Sequence, residues 1–360
     1  MDRIFNGDCI DIMPRIPAGS VDAVFADPPY NLQLGPKTLY RADDYSAARA
    51  VRDSWDSFDS PEAYDEFTRK WLVECRRVLK PDGCLWVIGT YHNIFRIGLI
   101  MQELGFWVLN DVVWVKTNPM PNFKGTRFAN AHETLIWATP RKTGKYTFNY
   151  ETMKQYNNGK QMRSNWQIDI CIGGERLKDE HGKSLHNTQK PMELLRRVIL
   201  SSTKAGDVIL DPFFGSGTTG AVAKELSRRF IGIEQEKKYI AGAKERIKAI
   251  VPTDLSKIEV ANPRREEAKV AFVELLANGL LFVGQTLVGK KGDRVMITKD
   301  GLLQHTLLGK GSIHVLAAKI QNVTAFNGWD YWSAERRDGQ LVSIDEVRQL
   351  YRKIKKQAAA

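Results

Sequence analysis

Four adjacent residues, Asp27-Pro28-Pro29-Tyr30, carry the sharpest chemical suggestion in the chain. They follow a short, mostly apolar run from Ser20 to Ala26, and the paired prolines end any strand there. Open α/β sheets place their ligands at such C-terminal strand ends. The quartet suits activation of an aromatic amine, whose lone pair is delocalised into its ring. Acceptors on both N–H bonds favour the pyramidal nitrogen that can attack a methyl group. The Asp27 carboxylate and the Pro28 carbonyl oxygen are such acceptors, and φ is fixed at each proline, so the carbonyl is held rigidly. Tyr30 offers a ring on which an extruded base can stack. The plainer reading, a proline-terminated strand with a capping Asp, stays open on four residues alone.

A second cluster is Asp211-Pro212-Phe213-Phe214-Gly215-Ser216-Gly217-Thr218-Thr219-Gly220. It follows an apolar run and opens a helical pattern. Glycines at such a bend let a ligand approach the backbone, and a helix N-terminus offers unpaired N–H groups. Gly215, Gly217 and Gly220 also fit G-x-G-x-x-G, so a dinucleotide site and a ligand-free turn are both compatible with this element. Glu234, at the end of the next apolar run, suits a ribose diol in either case.

The elements that must position these residues can be read from periodicity. Helical spacing covers Glu62 to Leu79, Pro191 to Ser201, Gly217 to Leu226 and Lys238 to Ile250. Strand patterns cover Cys84 to Gly89, Phe106 to Lys116, Glu133 to Ala138, Val208 to Leu210 and Arg229 to Glu234. The alternation predicts a mostly parallel sheet with helices on both faces. Residues 139 to 190 are poor in pattern. Residues 251 to 268 read as a linker. Beyond it, short strands at Thr286 to Val288, Arg294 to Thr298 and Leu302 to His305, then a basic helix, predict a small α+β domain over residues 269 to 360.

Composition bounds the function. The 360 residues are 43% hydrophobic and 26% charged, with a net charge of +11, which favours polyanionic partners, nucleic acid foremost. Cys9, Cys75, Cys84 and Cys171 form no C-x-x-C pair, and no His stands at ligand spacing to them. Neither a metal nor a disulfide framework is expected. No apolar run reaches membrane-spanning length and Met1-Asp2-Arg3 opens no signal segment, so a cytoplasmic protein without membrane contact is expected.

Taken together, the two clusters resemble the amino-group DNA methyltransferases. The order, with D-P-P-Y first and the glycine element far downstream, is similar to the permuted class called beta. The resemblance implies S-adenosylmethionine as cofactor and a Rossmann-like S-adenosylmethionine-dependent methyltransferase sheet over residues 1 to 260. Asp27, Pro28, Pro29 and Tyr30 then form the catalytic element. Asp8, with Cys9 beside it, resembles the family's acidic residue for the cofactor adenine. Asp211, Phe213, Phe214, Gly215, Ser216, Gly217, Thr218 and Thr219 resemble its glycine loop, beside the methionine moiety, and Glu234 its ribose ligand. His186-Asn187-Thr188-Gln189-Lys190-Pro191 resembles the H-P-T-Q-K-P element that closes over the cofactor through His186, Thr188 and Lys190, with Asn187 in place of the usual proline.

The stretches Tyr91 to Phe95, Asn118 to Phe128 and Gly311 to His314 are similar to the cell-cycle-regulated adenine methyltransferases. That likeness implies methylation of N6 of adenine in 5′-GANTC-3′ in duplex DNA, without a partner nuclease. Candidate DNA contacts are Trp55, His92, Lys116, Asn122, Lys124, Arg127 and Arg163, on loops near residues 35–57, 117–132 and 139–185, with Trp166 alongside. In the last domain the candidates are Lys290, Lys291, Arg294, Lys310 and Lys319, interleaved with Trp329 and Trp332. A homodimer is a possible further assembly. No Cys follows a Pro, which speaks against cytosine C5 chemistry. The alternatives are an N4-cytosine methyltransferase, for which Ser more often stands where Asp27 does, and a catalytically silent DNA-binding regulator. RNA as substrate and a nicotinamide dehydrogenase are less favoured.

Overall fold

A computed structural model describes residues 2–31, 39–40, 47–48, 56–122, 125–186, 188–258, 270–335 and 339–358. The chain divides into two compact units, Met1–Asn262 and Pro263–Ala360.

The first unit is built on an eight-stranded sheet. From edge to edge its strands are Arg3–Asn6, Arg229–Glu234, Val208–Asp211, Val21–Ala26, Leu79–Gly89, His132–Thr139, Trp107–Lys116 and Asn165–Ile168. All neighbours pair in parallel except His132–Thr139, which runs antiparallel to both of its partners. Val21–Ala26 lies in the middle and is almost wholly buried, as a strand covered on both faces must be. Alternate residues of the sheet feed two cores. Phe25, Trp86 and Ile88 pack with the helices Met192–Ser202 and Thr218–Glu225. Val24, Leu85 and Val87 pack on the other face with Pro61–Val78 and Ile94–Glu103. Ser60 caps the first of these helices by accepting from the Ala63 N–H, with Pro61 at the first helical position.

The mostly parallel α/β sheet expected from the alternation, with helices on both faces, is present. Most strand boundaries differ little from those expected, but the strand expected from Cys84 begins at Leu79 and runs through Pro81-Asp82-Gly83, and two further differences matter. Residues 139 to 190 are not wholly irregular: they hold the helix Tyr150–Tyr156 and the edge strand Asn165–Ile168. Trp166 on that strand is 4% exposed and packs near Trp86, so it is a core residue and not a DNA contact.

The second unit is a six-stranded sheet, paired antiparallel throughout, with helices Phe272–Ala277, Ile313–Gln321 and Ile344–Ala358. Its core contains Trp329 and Trp332. Trp332 is fully buried and its indole N–H donates to the Ile313 carbonyl. These two rings therefore offer no stacking face to a nucleic acid, contrary to the sequence reading. Lys290, Lys291 and Lys319 are exposed, whereas Arg294 and Lys310 pair with Glu335 and Asp300.

Phe214 shows how tightly the glycine element is built. Its ring is 3% exposed and stacks on Phe230, so it points into the core beneath the loop. A Cβ on Gly220 would sit 2.6 Å from its ring, and one on Gly232 would sit 2.5 Å from its Cγ. Gly232→Ala is expected to destabilise the protein by ~1–3 kcal/mol through overpacking. Phe214→Leu should partly relieve that clash, so in urea melts the two changes should couple by about 0.5–3 kcal/mol. Strictly additive losses would show that Phe214 is not the obstacle.

Candidate active site

Four neighbouring strands deliver their C-terminal ends to one side of the sheet. Arg3–Asn6 leads into Asp8, Arg229–Glu234 ends on Glu234, Val208–Asp211 leads into the glycine loop, and Val21–Ala26 leads into Asp27. Val24 pairs with Leu210, which sets Asp27 beside the glycine loop across a long stretch of chain.

A cavity of about 340 Å³ opens above these ends. Asp8, Cys9, Glu234, His186 and Thr188 line it, as do Phe213 and Gly215. Asp27, Pro28, Pro29 and Tyr30 complete the wall. Behind it lies a smaller void of about 30 Å³, which Lys190, Asp211, Phe214, Ser216, Thr218 and Thr219 line together with Asp27 and His186. Gly217 borders neither: it caps the helix Thr218–Glu225 in a left-handed conformation, φ 75°. Gly215 has φ 52°, so both glycines occupy backbone that other residues rarely adopt.

The acidic end is preorganised. Asp8 caps the helix Cys9–Ile12 by accepting from the Ile10 N–H at 2.8 Å, and its other oxygen accepts from the Gln235 amide at 2.9 Å. Glu234 accepts from the Gly215 N–H at 2.7 Å and the Glu236 N–H at 2.8 Å. Burial nevertheless raises its pKa above the ordinary value. Burial likewise pushes the Cys9 thiol up, so Cys9 is an inert wall residue. His186 meets Tyr239 edge-on at 4.6 Å, and burial, followed by Lys190, lowers it to about 4.

The other end is a buried set of charges. Lys190, 7% exposed, reaches Asp27 at 2.8 Å and Glu133 at 3.7 Å. Lys116 reaches Glu133 at 2.8 Å. The Tyr30 hydroxyl lies 2.9 Å from both Asp27 and Glu133. The Pro29 carbonyl accepts from the Tyr64 hydroxyl at 2.8 Å, which pins the turn from behind. Burial would discharge Lys190, but Asp27 and Glu133 outweigh it and hold the ammonium charged. Burial raises Asp27, with Lys190 opposing it and Glu133 adding to it.

A family profile described as DNA methylase, of the N6/N4 methyltransferases, matches residues 21–245. The chain belongs to that family. A type II methyltransferase of Haemophilus influenzae, M.HinfI, is 49% identical over 356 residues, 98% of this chain and 97% of its own length. M2.LlaDCHI of Lactococcus lactis subsp. cremoris is 42% identical over 245 residues, 68% of this chain and 88% of that protein. Among solved structures, the M1.HpyAVI–SAM complex is 29% identical with a TM-score of 0.50, covering 69% of this chain and 99% of that one. The PvuII methyltransferase, described as cytosine-N4-specific, shares the fold at 20% identity and a TM-score of 0.53, over 71% of this chain and 89% of its own.

The DNA-contact candidates of this methylase divide. Lys116 is corrected: its side chain is 13% exposed and spent on Glu133, so it is an internal counter-ion. His92 and Arg127 are exposed and meet on one ring: His92 stacks on Tyr91 at 4.0 Å, and the Arg127 guanidinium lies 5.7 Å from the Tyr91 centroid. Asn122 accepts from the Thr126 N–H at 3.3 Å, and Arg163 is exposed. Trp55 and Lys124 lie outside the described residues. Among the described residues no helix is long and apolar enough to cross a membrane, and no His, Cys, Asp and Glu group could hold a metal. Sequence reasoning missed Glu133 and Asp56. Asp56 is 5% exposed, lines the cavity and accepts from the Asn31 N–H at 2.8 Å.

Asp211 proves to be a strut for the loop. Its carboxyl accepts from the Phe213 N–H at 2.9 Å and the Thr219 hydroxyl at 2.6 Å. Burial raises it from 3.8 to about 7. Between those values the folded chain holds a proton that the unfolded chain has lost, so stability falls as pH rises, by up to about 4 kcal/mol. Asp211→Asn lacks that titration. The melting temperature of the wild type should therefore drop relative to D211N from pH 5 to 7.5 and run parallel above it. A constant gap would mean that Asp211 is ionised when folded.

Proposed function

We propose that this methylase transfers a methyl group from S-adenosylmethionine to N6 of adenine in duplex DNA, within GANTC, after flipping the base from the stack. The observation that carries this reading is the Asp27 carboxylate at the cavity wall, next to Tyr30 and just past the end of the strand adjoining the glycine loop. A carboxylate there is an acceptor for an exocyclic amino group, and Asp is the residue expected of the adenine enzymes.

The cavity suits the cofactor. Its volume lies within the small-molecule range. Each carboxylate has about four lone-pair sites, so Glu234 and Asp8 retain acceptor capacity beyond the bonds described, for the ribose hydroxyls and the adenine amino group respectively. Phe58, Phe213 and Ile233 supply apolar wall. Thr188 and Gly215 border the methionine side. When bound, the cofactor supplies a methyl group on a sulfonium, a good leaving group.

The protein then has to align and polarise the nucleophile. Asp27 and the Pro28 carbonyl accept from the amino N–H bonds. Tyr30, held by its hydroxyl and by Lys190 5.1 Å from its ring centroid, is a rigid wall for the flipped base. Tyr91, His92 and Arg127 form an exposed aromatic and basic patch suited to a distorted strand. The exposed lysines of residues 270–335 suit DNA phosphates.

Asp27→Ala should reduce single-turnover methylation by on the order of a hundredfold or more while cofactor and DNA still bind. Near-normal turnover would remove this motif from the reaction. Mass analysis of nuclease digests should find the label on N6-methyladenine; N4-methylcytosine would transfer the same geometry to the cytosine reading. Glu234→Ala should weaken cofactor binding in calorimetry by about one to two decades, given roughly 1.5–3 kcal/mol per charged hydrogen bond. Unchanged binding would exclude Glu234 from the ribose.

A further inference from the structure

Glu133 has no place in the motifs above, yet it is among the most buried acidic residues of the first unit, 7% exposed. It stands near the start of His132–Thr139, the antiparallel strand, so it arrives at the edge where the parallel strands end. One oxygen meets Lys116 at 2.8 Å; the other meets the Tyr30 hydroxyl at 2.9 Å, with Lys190 3.7 Å away. A buried carboxylate is tolerated only with such partners. Two of these partners, Tyr30 and Lys190, are also those of Asp27.

Two carboxylates, Asp27 and Glu133, are thus balanced by two ammonium groups, Lys190 and Lys116. The Tyr30 hydroxyl, with its single proton, lies 2.9 Å from an oxygen of each carboxylate. It cannot make two linear bonds at once. What Glu133 takes from Tyr30 and Lys190 is withheld from Asp27.

We propose that Glu133 is a positioning residue of the methyl transfer, which sets the basicity of Asp27 by competing with it for Lys190 and for the Tyr30 proton. The inference rests on Asp27 facing the amino group of the target base. In that reaction the N–C bond forms and the S–C bond breaks, its electron pair staying on sulfur. The nitrogen, left cationic, releases one proton, and Asp27 is the adjoining acceptor. If Lys190 attended Asp27 alone, the carboxylate would be a weaker acceptor. Glu133 draws the ammonium and the phenol partly away. The directions of the buried groups are compatible: Glu133 is lowered, the two lysines outweighing its burial, whereas Asp27 is raised, chiefly by burial and further by the Glu133 charge, against Lys190. Asp211 is a further titratable group in the void it shares with Asp27, and His186, Asp56, Asp8, Cys9, Glu234, Glu236 and Tyr239 stand along the cavity.

The test is a pH profile with an independent titration. Single-turnover methylation should fall on the acid side with the protonation of Asp27. Glu133→Gln removes a negative neighbour, so that limb should move to lower pH by about one unit. Lys116→Met leaves Glu133 with less compensation, so the limb should move to higher pH. The carboxyl 13C resonance of Asp27, assigned with D27N, should shift its midpoint in the same opposite directions in the cofactor-free protein. Limbs and midpoints that stay fixed in both variants, or move the same way in both, would overturn the proposal and leave Glu133 a merely structural partner. The carbon titration needs no methyl transfer, so the inference can fail while N6-methyladenine is still found, and the adenine reading can fail while the opposite shifts persist.

Discussion

The site depends first on the parallel pairing of Val21–Ala26 with Val208–Asp211. Parallel neighbours end on the same side of a sheet, so whatever follows one strand sits beside whatever follows the other. With Val24 opposite Leu210, the D-P-P-Y turn and the glycine loop become adjacent walls of one cavity. Arg229–Glu234 and Arg3–Asn6 extend the same logic, adding Glu234 and Asp8 in spatial order along the edge. The distance between the acidic end and Asp27 is thereby set by strand spacing, and side-chain flexibility has little part in it.

Parallel sheets have a second consequence. Both faces must be covered, which leaves the C-terminal edge as the place where polar groups can gather without breaking the core. Within the eight-stranded sheet the antiparallel strand His132–Thr139 breaks the pattern by bringing its first residues, not its last, to that edge. Glu133 arrives there with Lys116 from the adjoining strand, and the two enter the charge set around Asp27. A quartet of two acids and two bases can be buried because every charge has a partner within reach. Removing one member exposes the others to unpaired burial, which ties the fold's integrity to the disposition of the reaction centre.

The glycine loop is held by a different economy. Asp211 accepts from both ends of the turn, Glu234 accepts from Gly215, and Phe214 fills the space that Gly220 and Gly232 leave open. The glycines thus serve two ends at once: the left-handed turn at Gly215 and Gly217, and the ring packed below at Gly220 and Gly232.

The sequence by itself determined the elements whose geometry is local. Paired prolines fix φ and end a strand, alternating apolar residues fix which strand faces are buried, and a strand–glycine–helix run fixes a loop with exposed N–H groups. From these the α/β architecture, the D-P-P-Y turn, the glycine loop and Glu234 at a strand end were all legible. Tertiary structure decided everything that depends on which way a side chain points once strands are paired. Lys116 and Arg127 look alike in sequence, yet strand pairing turns the first inward to Glu133 and leaves the second in solvent. Phe213 and Phe214 are neighbours, and the turn between them sends one to the cavity and the other to the core. Trp166, Trp329 and Trp332 stood among basic residues and read as surface; packing buried them. Glu133 had no motif to announce it, because its place is made only where an antiparallel strand brings its first residues to the edge at which the parallel strands end, and that juxtaposition is made by pairing between residues remote in the chain.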